Sequence, residues 1–225
     1  MSDNFEQFPE IGPIDTPKQF HQLGIFVLDG SGSMAGQAQG GVTKADAVNI
    51  AVRDLLTRFK VSRVKQNFSF SVVTFDTSAR LRTPITEASA IDDNDDYNPM
   101  NGHGGGTNIF EGLKIAEQQA NDFLNQADAD GVPHSVIILV MTDGACFNPG
   151  LTVQTAENIK NGPSGGKVTV CSTFFGQVGN SDEGAKNLLR NIATDRVMGF
   201  KEVYDAETLR TFFEKSISSA SGVTI

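Results

Sequence analysis

Two aspartates and three hydroxyl-bearing residues follow apolar or glycine-rich runs, and their types suit the binding of a cation. Asp29, Ser31 and Ser33 lie in the stretch DGSGS, directly after an apolar run. Asp143 follows the most apolar run of the chain, and Thr107 follows three consecutive glycines. Oxygen ligands without histidine or cysteine suit a hard cation such as Mg²⁺ and not zinc.

The spacing Asp-x-Ser-x-Ser allows alternate residues of a tight loop to turn their oxygen atoms towards one point. Gly30 and Gly32 remove the steric limits that side chains would impose there. If the hydroxyls ligate the ion directly and the aspartates act through water, few full charges touch the ion. The ion then attracts one further oxygen, preferably from a carboxylate. The pattern therefore predicts a binding device as much as a catalytic one.

Strand-like and helix-like segments alternate along the chain after about residue 20. Apolar or β-branched runs predict strands at 23–28, 68–75, 79–82, 135–141, 167–175 and 200–204. Apolar residues at helical spacing predict helices at 43–60, 107–125, 151–161, 182–193 and 206–219. Thr107 is expected to cap the second helix, and the polar stretch 92–106 is predicted to lack regular structure.

This alternation predicts an α/β fold: a doubly wound, Rossmann-like three-layer sandwich with a mostly parallel central sheet. The segment 79–82 is expected to be one short antiparallel edge strand, because its connection to the preceding strand is too short for a parallel crossover. Ligands bind such sheets at the carboxyl ends of the strands. Asp29, Thr107 and Asp143 are all expected on that rim.

Composition limits the classes of partner. The chain has 225 residues, enough for one sizeable core, and its formal net charge of −9 makes nucleic acid and anionic membrane surfaces poor partners. Residues 1–20 are acidic and lack the features of an export signal, so we expect an N-terminal arm or leader. A single domain is expected at 21–225, in a cytoplasmic protein with Cys146 and Cys171 reduced.

Three motifs in order resemble the metal-ion-dependent adhesion site of von Willebrand factor type A (VWA) domains. They are DGSGS at 29–33, the threonine of GGGTNI at 104–109 and the aspartate of MTDG at 141–144. The resemblance extends over about residues 22–220, in the element order of the family.

The resemblance implies a role for each residue of these motifs. Ser31, Ser33 and Thr107 are expected to be direct or switching metal ligands. Asp29 and Asp143 are expected to bind directly or through water. The ion is expected to be Mg²⁺ or Mn²⁺, with Ca²⁺ a poorer fit, and an acidic residue of a protein partner is expected to complete its coordination shell.

The rim around the ion is expected to contact that partner. It comprises Gly30, Gly32, Met34, Gly105, Gly106, Asn108 and Gly144. At position 30 the family often has threonine or another larger residue, so the glycine here predicts a looser loop.

The stretch 71–88 is similar to stand-alone bacterial VWA proteins of the tellurite-resistance and stress type. Members of that group are associated with serine/threonine kinases and phosphatases. The resemblance therefore implies a non-enzymatic interaction module of a bacterial stress-response or signalling complex, with such a kinase or phosphatase as a candidate partner.

The same residues allow other interpretations. DGSGS could be only a strand-to-helix turn, or with Ala35 a dinucleotide-binding G-x-G-x-x-A loop, but Asp29 would then face the pyrophosphate. A phosphotransfer site of the haloacid dehalogenase type would need an acid at position 31. The acidic stretch from Asp92 resembles an EF-hand start, but Tyr97 stands where that loop needs glycine.

A metal-dependent hydrolase is the main alternative function, because the same cation could activate water. Such an enzyme would need a general base, and Asp76 and Glu111 are the candidates. The histidines, His21, His103 and His134, are widely separated and are expected at the surface or in loops. No Ser-His-Asp arrangement is predicted.

Overall fold

The computed structural model describes residues 18–126, 131–177 and 182–222. Within these residues a six-stranded sheet has the order β3-β2-β1-β4-β5-β6. The strands are β1 (His21–Asp29), β2 (Phe68–Phe75), β3 (Ala79–Glu87), β4 (His134–Thr142), β5 (Val168–Phe175) and β6 (Phe200–Val203). The α-helices are α1 (Lys44–Val61), α2 (Ile109–Leu124), α3 (Pro149–Asn161), α4 (Glu183–Ile192) and α5 (Ala206–Ser221).

Among the described strands only β2 and β3 pair antiparallel, which confirms the predicted α/β fold with a mostly parallel sheet. The edge strand β3 is longer than expected, since it continues through Pro84 to Glu87. Proline has no N–H group to donate. It is tolerated in an edge strand because one side of that strand has no neighbouring strand to accept such a hydrogen bond.

Two apolar cores lie on opposite faces of the sheet. Successive side chains of a strand point to opposite faces, so Phe26 and Leu28 of β1 join the core with α1 and α5. Ile25 and Val27 join the core with α2, α3 and α4. Because β1 is covered on both faces, its sequence is a continuous apolar run rather than an alternating one.

Two helices, α1 and α2, begin close to the candidate site. Helix α1 begins after Thr43, whose Oγ1 accepts a hydrogen bond from the Asp46 N–H at 3.1 Å. Helix α2 begins at Ile109 with Asn108 as its N-cap residue, so the expected capping role of Thr107 is wrong. The stretch 92–106 contains no helix or strand, as predicted.

The N-terminal arm expected at residues 1–20 falls mostly outside the described residues. Near its end, the Gln19 N–H donates to Asn67 Oδ1 at 2.9 Å, and Phe20 packs edge-on against Phe68. Cys146 and Cys171 are free thiols, and Cys171 is buried. Within the described ranges, none of the helices combines the length and apolar character needed to cross a membrane.

Candidate metal centre

The carboxyl ends of β1 and β4 bring two aspartates to one rim of the sheet. Asp29 is the last residue of β1, and Asp143 directly follows β4, the neighbouring parallel strand. The Asp29 side chain is fully buried. Its Oδ1 accepts the Ser31 N–H at 2.7 Å, and its Oδ2 accepts the hydroxyl of Thr142. The loop after β1 is therefore folded back on the aspartate that begins it.

The hydroxyl groups of Ser31 and Ser33 lie side by side, with their Oγ atoms 3.0 Å apart. Ser33 Oγ donates to Asp143 Oδ1 at 2.6 Å, which ties the loop after β1 to the loop after β4. Neighbouring ligands of an octahedral Mg²⁺ at about 2.1 Å from the ion are about 3.0 Å from each other. The two hydroxyl oxygens thus have the spacing of one edge of that octahedron.

The loop that carries Thr107 lies against the DGSGS loop. The Gly32 N–H donates to the Gly105 carbonyl at 3.0 Å, and the Phe147 N–H donates to the Thr107 carbonyl at 2.9 Å. Thr107 is buried, and within the described residues its hydroxyl group has no hydrogen-bond partner. The three segments singled out from the sequence therefore meet in space, with a hydroxyl group left for a ligand.

Lys44, which the sequence analysis did not single out, reaches the same carboxylate. Its Nζ donates to Asp143 Oδ2 at 2.6 Å, and both side chains are buried. Lys44 is the first residue of α1, directly after the capping residue Thr43. A helix that follows a central strand begins at the carboxyl rim of the sheet. The position of Lys44 at the start of such a helix could therefore have identified it from the sequence.

The surroundings of Asp29 leave its charge incompletely compensated. Burial raises the pKa of Asp29 to about 6, the hydrogen bonds from Thr142 and Ser31 offset only part of this rise, and the charge of Asp143 adds to it. A nearby cation favours the ionised form of such a carboxylate. The described residues contain no cluster of three or more His, Cys, Asp or Glu side chains that could hold a metal. A cation here would therefore depend on hydroxyl oxygens, and this oxygen-only set fits a hard divalent ion.

Three residues expected on the partner-contacting rim are buried, which argues against their direct contact with a partner: Gly30, Met34 and Asn108. Met34 packs in the core with α1, and Asn108 Nδ2 donates to the Thr77 carbonyl at 3.3 Å. The other four residues are wholly or partly exposed, and their contact with a partner stays a prediction: Gly32, Gly105, Gly106 and Gly144.

The loop at Gly30 is tightly packed, which corrects the expectation that glycine loosens it. A Cβ atom at Gly30 would lie 2.1 Å from the Pro99 carbonyl oxygen and 2.9 Å from His103 Cβ. The polar stretch 92–106 therefore packs on the DGSGS loop. Glycine is needed at position 30 because another backbone segment occupies the space of a side chain.

Another aspartate on the same rim, Asp76, is bound by protein groups. Ser78 N–H donates to its Oδ1 and Gly105 N–H donates to its Oδ2, each at 3.0 Å. His103 Nδ1 lies 3.0 Å from Asp76 Oδ1, and His103 Nε2 lies 2.9 Å from Thr74 Oγ1. Burial by itself would raise the pKa of Asp76, but these backbone hydrogen bonds and His103 lower it to about 2.

His103 lies in a loop, as expected, whereas His134 is the first residue of β4. The His103 side chain is buried although it lies in a loop, and it completes a Thr-His-Asp arrangement that no local spacing predicts. Thr74 is itself buried in β2, so its hydroxyl is poorly placed to attack a substrate. His134 is also buried, and its ring centroid lies 5.1 Å from that of His21. Contacts between distant segments are responsible in each case.

Phe147 is an exposed aromatic residue at the rim that the sequence analysis did not single out. The residue is 66% exposed. A Cβ atom at Gly106 would lie 2.0 Å from the Phe147 ring, so the ring covers that glycine. Only the folded arrangement shows that an apolar group flanks the loop that carries Thr107.

The sequence model of the von Willebrand factor type A domain matches residues 25–145, more than half of the chain. This range includes the three motifs of the rim. No curated protein sequence matches the chain.

Several solved structures are similar in fold. The pilus adhesin SpaC from Lactobacillus rhamnosus GG, in its open conformation, is 13% identical over 91% of this chain and 30% of its own, with a TM-score of 0.69. BatB from Bacteroides thetaiotaomicron, a conserved hypothetical protein, is 19% identical over 89% of this chain and 98% of its own, with a TM-score of 0.63.

A third similar structure is proximal thread matrix protein 1 from the mussel byssus. Its metal-ion-dependent adhesion site (MIDAS) motif is occupied by zinc. It is 18% identical over 90% of this chain and 46% of its own, with a TM-score of 0.61. This chain thus spans about a third of the pilus adhesin and about half of the mussel protein. At these identities the similarity concerns the fold alone. The match of the sequence model, the mostly parallel sheet with helices on both faces and the motifs at its carboxyl rim agree: this chain belongs to the von Willebrand factor type A domain family.

Proposed function

We propose that this chain is a non-enzymatic interaction module that binds an acidic residue of a protein partner through one divalent cation, Mg²⁺ or Mn²⁺. The observation that carries the proposal is the pair of hydroxyl oxygens of Ser31 and Ser33, 3.0 Å apart at the rim. The residues proposed to hold the ion are Asp29, Ser31, Ser33, Thr107 and Asp143. The ion would supply an open coordination position for a carboxylate oxygen.

The protein's own groups have distinct parts in this proposal. The Ser33 hydroxyl donates a hydrogen bond to Asp143, and its oxygen lone pairs remain available to the ion. Asp29 orients the loop by accepting the Ser31 N–H at 2.7 Å. Because hydroxyls carry no charge, the two aspartates are the anionic groups of this set, and the ion retains affinity for a further anion.

The hydrolase alternative has weaker support from the candidate bases. With its pKa lowered to about 2, Asp76 has little affinity for a proton near neutral pH. Glu111 lies on α2, where its Oε2 is 3.2 Å from Lys114 Nζ. Asp76 therefore lacks the raised pKa that would favour a general base, and the Glu111 carboxylate is already paired with a lysine. This comparison supports the non-enzymatic proposal.

The cellular setting forms the finer part of the proposal. The similarity of the stretch 71–88 to bacterial VWA proteins of the tellurite-resistance and stress type supports a cytoplasmic stress-response or signalling complex. A serine/threonine kinase or phosphatase is the proposed class of partner. By their names, two structural relatives are an adhesin and a matrix protein, which is consistent with an interaction role in the wider family.

The first test is calorimetric titration of the purified chain with MgCl₂ and MnCl₂. We expect one binding site in the wild type and none in Asp29→Ala. Lys60→Met is a matched control, because Lys60 pairs with Asp93 away from the rim. Failure of the wild type to bind either ion would contradict the proposal.

The second test is a pull-down from a lysate of the source organism, with the chain as bait in Mg²⁺, in EDTA and as Asp29→Ala. A partner retained only by the wild type in Mg²⁺ would support binding through the ion. A partner retained equally in all three conditions would show that another surface binds it and would contradict the proposal.

A further inference from the structure

We propose that Lys44 makes this metal centre selective for an anionic ligand, because its buried ammonium group adds one positive charge to a site whose two aspartates alone would neutralise a divalent ion. The inference rests on the proposed function and names a residue that regulates that site. It assigns to Lys44 two opposite effects: weaker binding of the cation, and stronger binding of a carboxylate to the loaded site.

The position of Lys44 is fixed at both ends of the residue. Its backbone N–H donates to the Gly36 carbonyl at 2.8 Å, and its Nζ donates to Asp143 Oδ2 at 2.6 Å. The Lys44 side chain is 9% exposed and that of Asp143 is 0% exposed. Moving the ammonium group away would leave a buried carboxylate without its partner, which is costly. The positive charge is therefore a constant part of the site.

The ammonium group is close to the proposed ligands. The Asp143 carboxylate accepts Lys44 Nζ on one oxygen and Ser33 Oγ on the other, each at 2.6 Å. One carboxylate thus separates the ammonium group from a hydroxyl expected to touch the ion. Charges this close interact appreciably, because burial limits the screening by water.

The formal charges of the site determine how strongly the loaded site attracts an anion. Asp29 and Asp143 contribute two negative charges, which a divalent cation balances. Lys44 then leaves the loaded site with one net positive charge, and a single carboxylate from a partner restores neutrality. Without Lys44 the loaded site would already be neutral and would attract an anion less strongly.

The same charge opposes entry of the cation. In the metal-free protein, the positive charge of Lys44 compensates the negative charge of Asp143. Lys44 therefore already provides part of the stabilisation that a metal ion would give. An entering divalent ion must approach this ammonium group, which lowers its affinity. The two effects have opposite signs for a single residue, and a general loss of structure would not produce that pattern.

The test measures both affinities in Lys44→Met, which keeps an unbranched side chain of similar length without its charge. Mn²⁺ binding is measured by calorimetry, and acetate binding to the Mn²⁺-loaded protein by the loss of water-proton relaxation. We expect Mn²⁺ to bind about ten-fold more tightly and acetate about three-fold more weakly, since acetate has half the charge of Mn²⁺.

Three further variants serve as controls. Lys44→Arg keeps the charge and is expected to stay within about two-fold of the wild type for both ligands. Lys60→Met removes a lysine near the other end of α1, where Nζ pairs with Asp93 at 2.8 Å, and should change neither affinity. Lys44→Gln replaces Lys44→Met if circular dichroism shows that the latter does not fold.

The outcomes separate this inference from the proposed function. If Mn²⁺ and acetate both bind the wild type, but the neutral variants shift the two affinities in the same direction or not at all, the role of Lys44 is wrong and the proposed function stands. If the wild type binds no Mn²⁺, the proposed function is overturned and this inference with it.

Discussion

Asp29 and Asp76 end neighbouring strands of the sheet with the same local hydrogen bond, yet the fold treats their charges in opposite ways. In each, the N–H group two residues later donates to Oδ1, at 2.7 Å from Ser31 and 3.0 Å from Ser78. The pKa of Asp29 is raised to about 6, whereas that of Asp76 is lowered to about 2. The local turn is therefore not what distinguishes them.

The difference comes from the groups that the tertiary structure adds. The second oxygen of Asp29 receives one hydroxyl, from Thr142, in a fully buried position near Asp143. Asp76 receives a second backbone N–H, from Gly105, and lies beside His103. Of these two strand-end aspartates, Asp29 is the better candidate for a metal ligand, because the protein leaves its charge incompletely compensated.

One residue, Gly105, joins the two regions. The Gly105 N–H donates to Asp76 Oδ2, and the Gly105 carbonyl accepts the Gly32 N–H, each at 3.0 Å. The compensated aspartate therefore positions the loop that packs on the candidate metal centre. The comparison predicts that changes at Asp29 affect cation binding, whereas changes at Asp76 affect stability.

The largest effect is expected from Asp29→Asn, which removes the charge and retains the shape. Divalent-cation affinity should fall on the order of 100-fold, because a buried charge next to the ion is lost. The metal-free protein should not lose stability, since burial disfavours the ionised carboxylate. Calorimetry and urea denaturation in EDTA test the two parts. An equal loss of affinity in Asp76→Asn would remove the distinction between the two aspartates.

The contact between the two regions is tested by Gly30→Ala. The added Cβ would lie 2.1 Å from the Pro99 carbonyl oxygen, so the free energy of unfolding should fall by about 2–3 kcal/mol. Gly144→Ala is the matched control, because its Cβ would meet only Ser33 Oγ, at 3.9 Å. Urea denaturation measures both variants. Equal stability of the two would show that the stretch 92–106 does not pack on Gly30.

Asp76→Asn should lower the stability of the metal-free protein by about 2 kcal/mol at pH 7. The folded-state pKa of about 2 is below the ordinary value of 3.8, so ionised Asp76 stabilises the folded state. This contribution is complete above about pH 5 and is lost as the pH falls towards 2. The difference between wild type and variant, from urea denaturation across this range, should shrink accordingly. A difference that is constant with pH would contradict the assigned role.

The smallest effect is expected from Thr107→Ala, which removes one neutral ligand. A water molecule can replace the hydroxyl, so cation affinity should fall only about five-fold, with Thr107→Ser close to the wild type. Stability in EDTA should not change, because within the described residues this hydroxyl has no partner. Calorimetry and thermal denaturation provide the measurements. A large loss of stability would mean that Thr107 has a structural role instead.

Much of the fold was predictable because the central strands are buried on both faces. Continuous apolar runs such as 135–141 identify strands of this kind, and an aspartate that interrupts such a run marks its carboxyl end. The start of α2 was misplaced by two residues, because both Thr107 and Asn108 are suitable capping residues and only the fold chose between them. The burial of Met34 was also missed, because it results from the folding of its loop onto α1, which local sequence does not show.

The sequence by itself determined the order of strands and helices along the chain, the oxygen-only character of the rim and the placement of Asp29 and Asp143 at strand ends on that rim. These properties follow from periodicity and residue type, which act over a few residues. Only the tertiary structure decided which aspartate is compensated, that Lys44 pairs with Asp143 and that Pro99 covers Gly30. Each of these depends on groups far apart in the chain, whose distances and burial are set by the packing of whole elements.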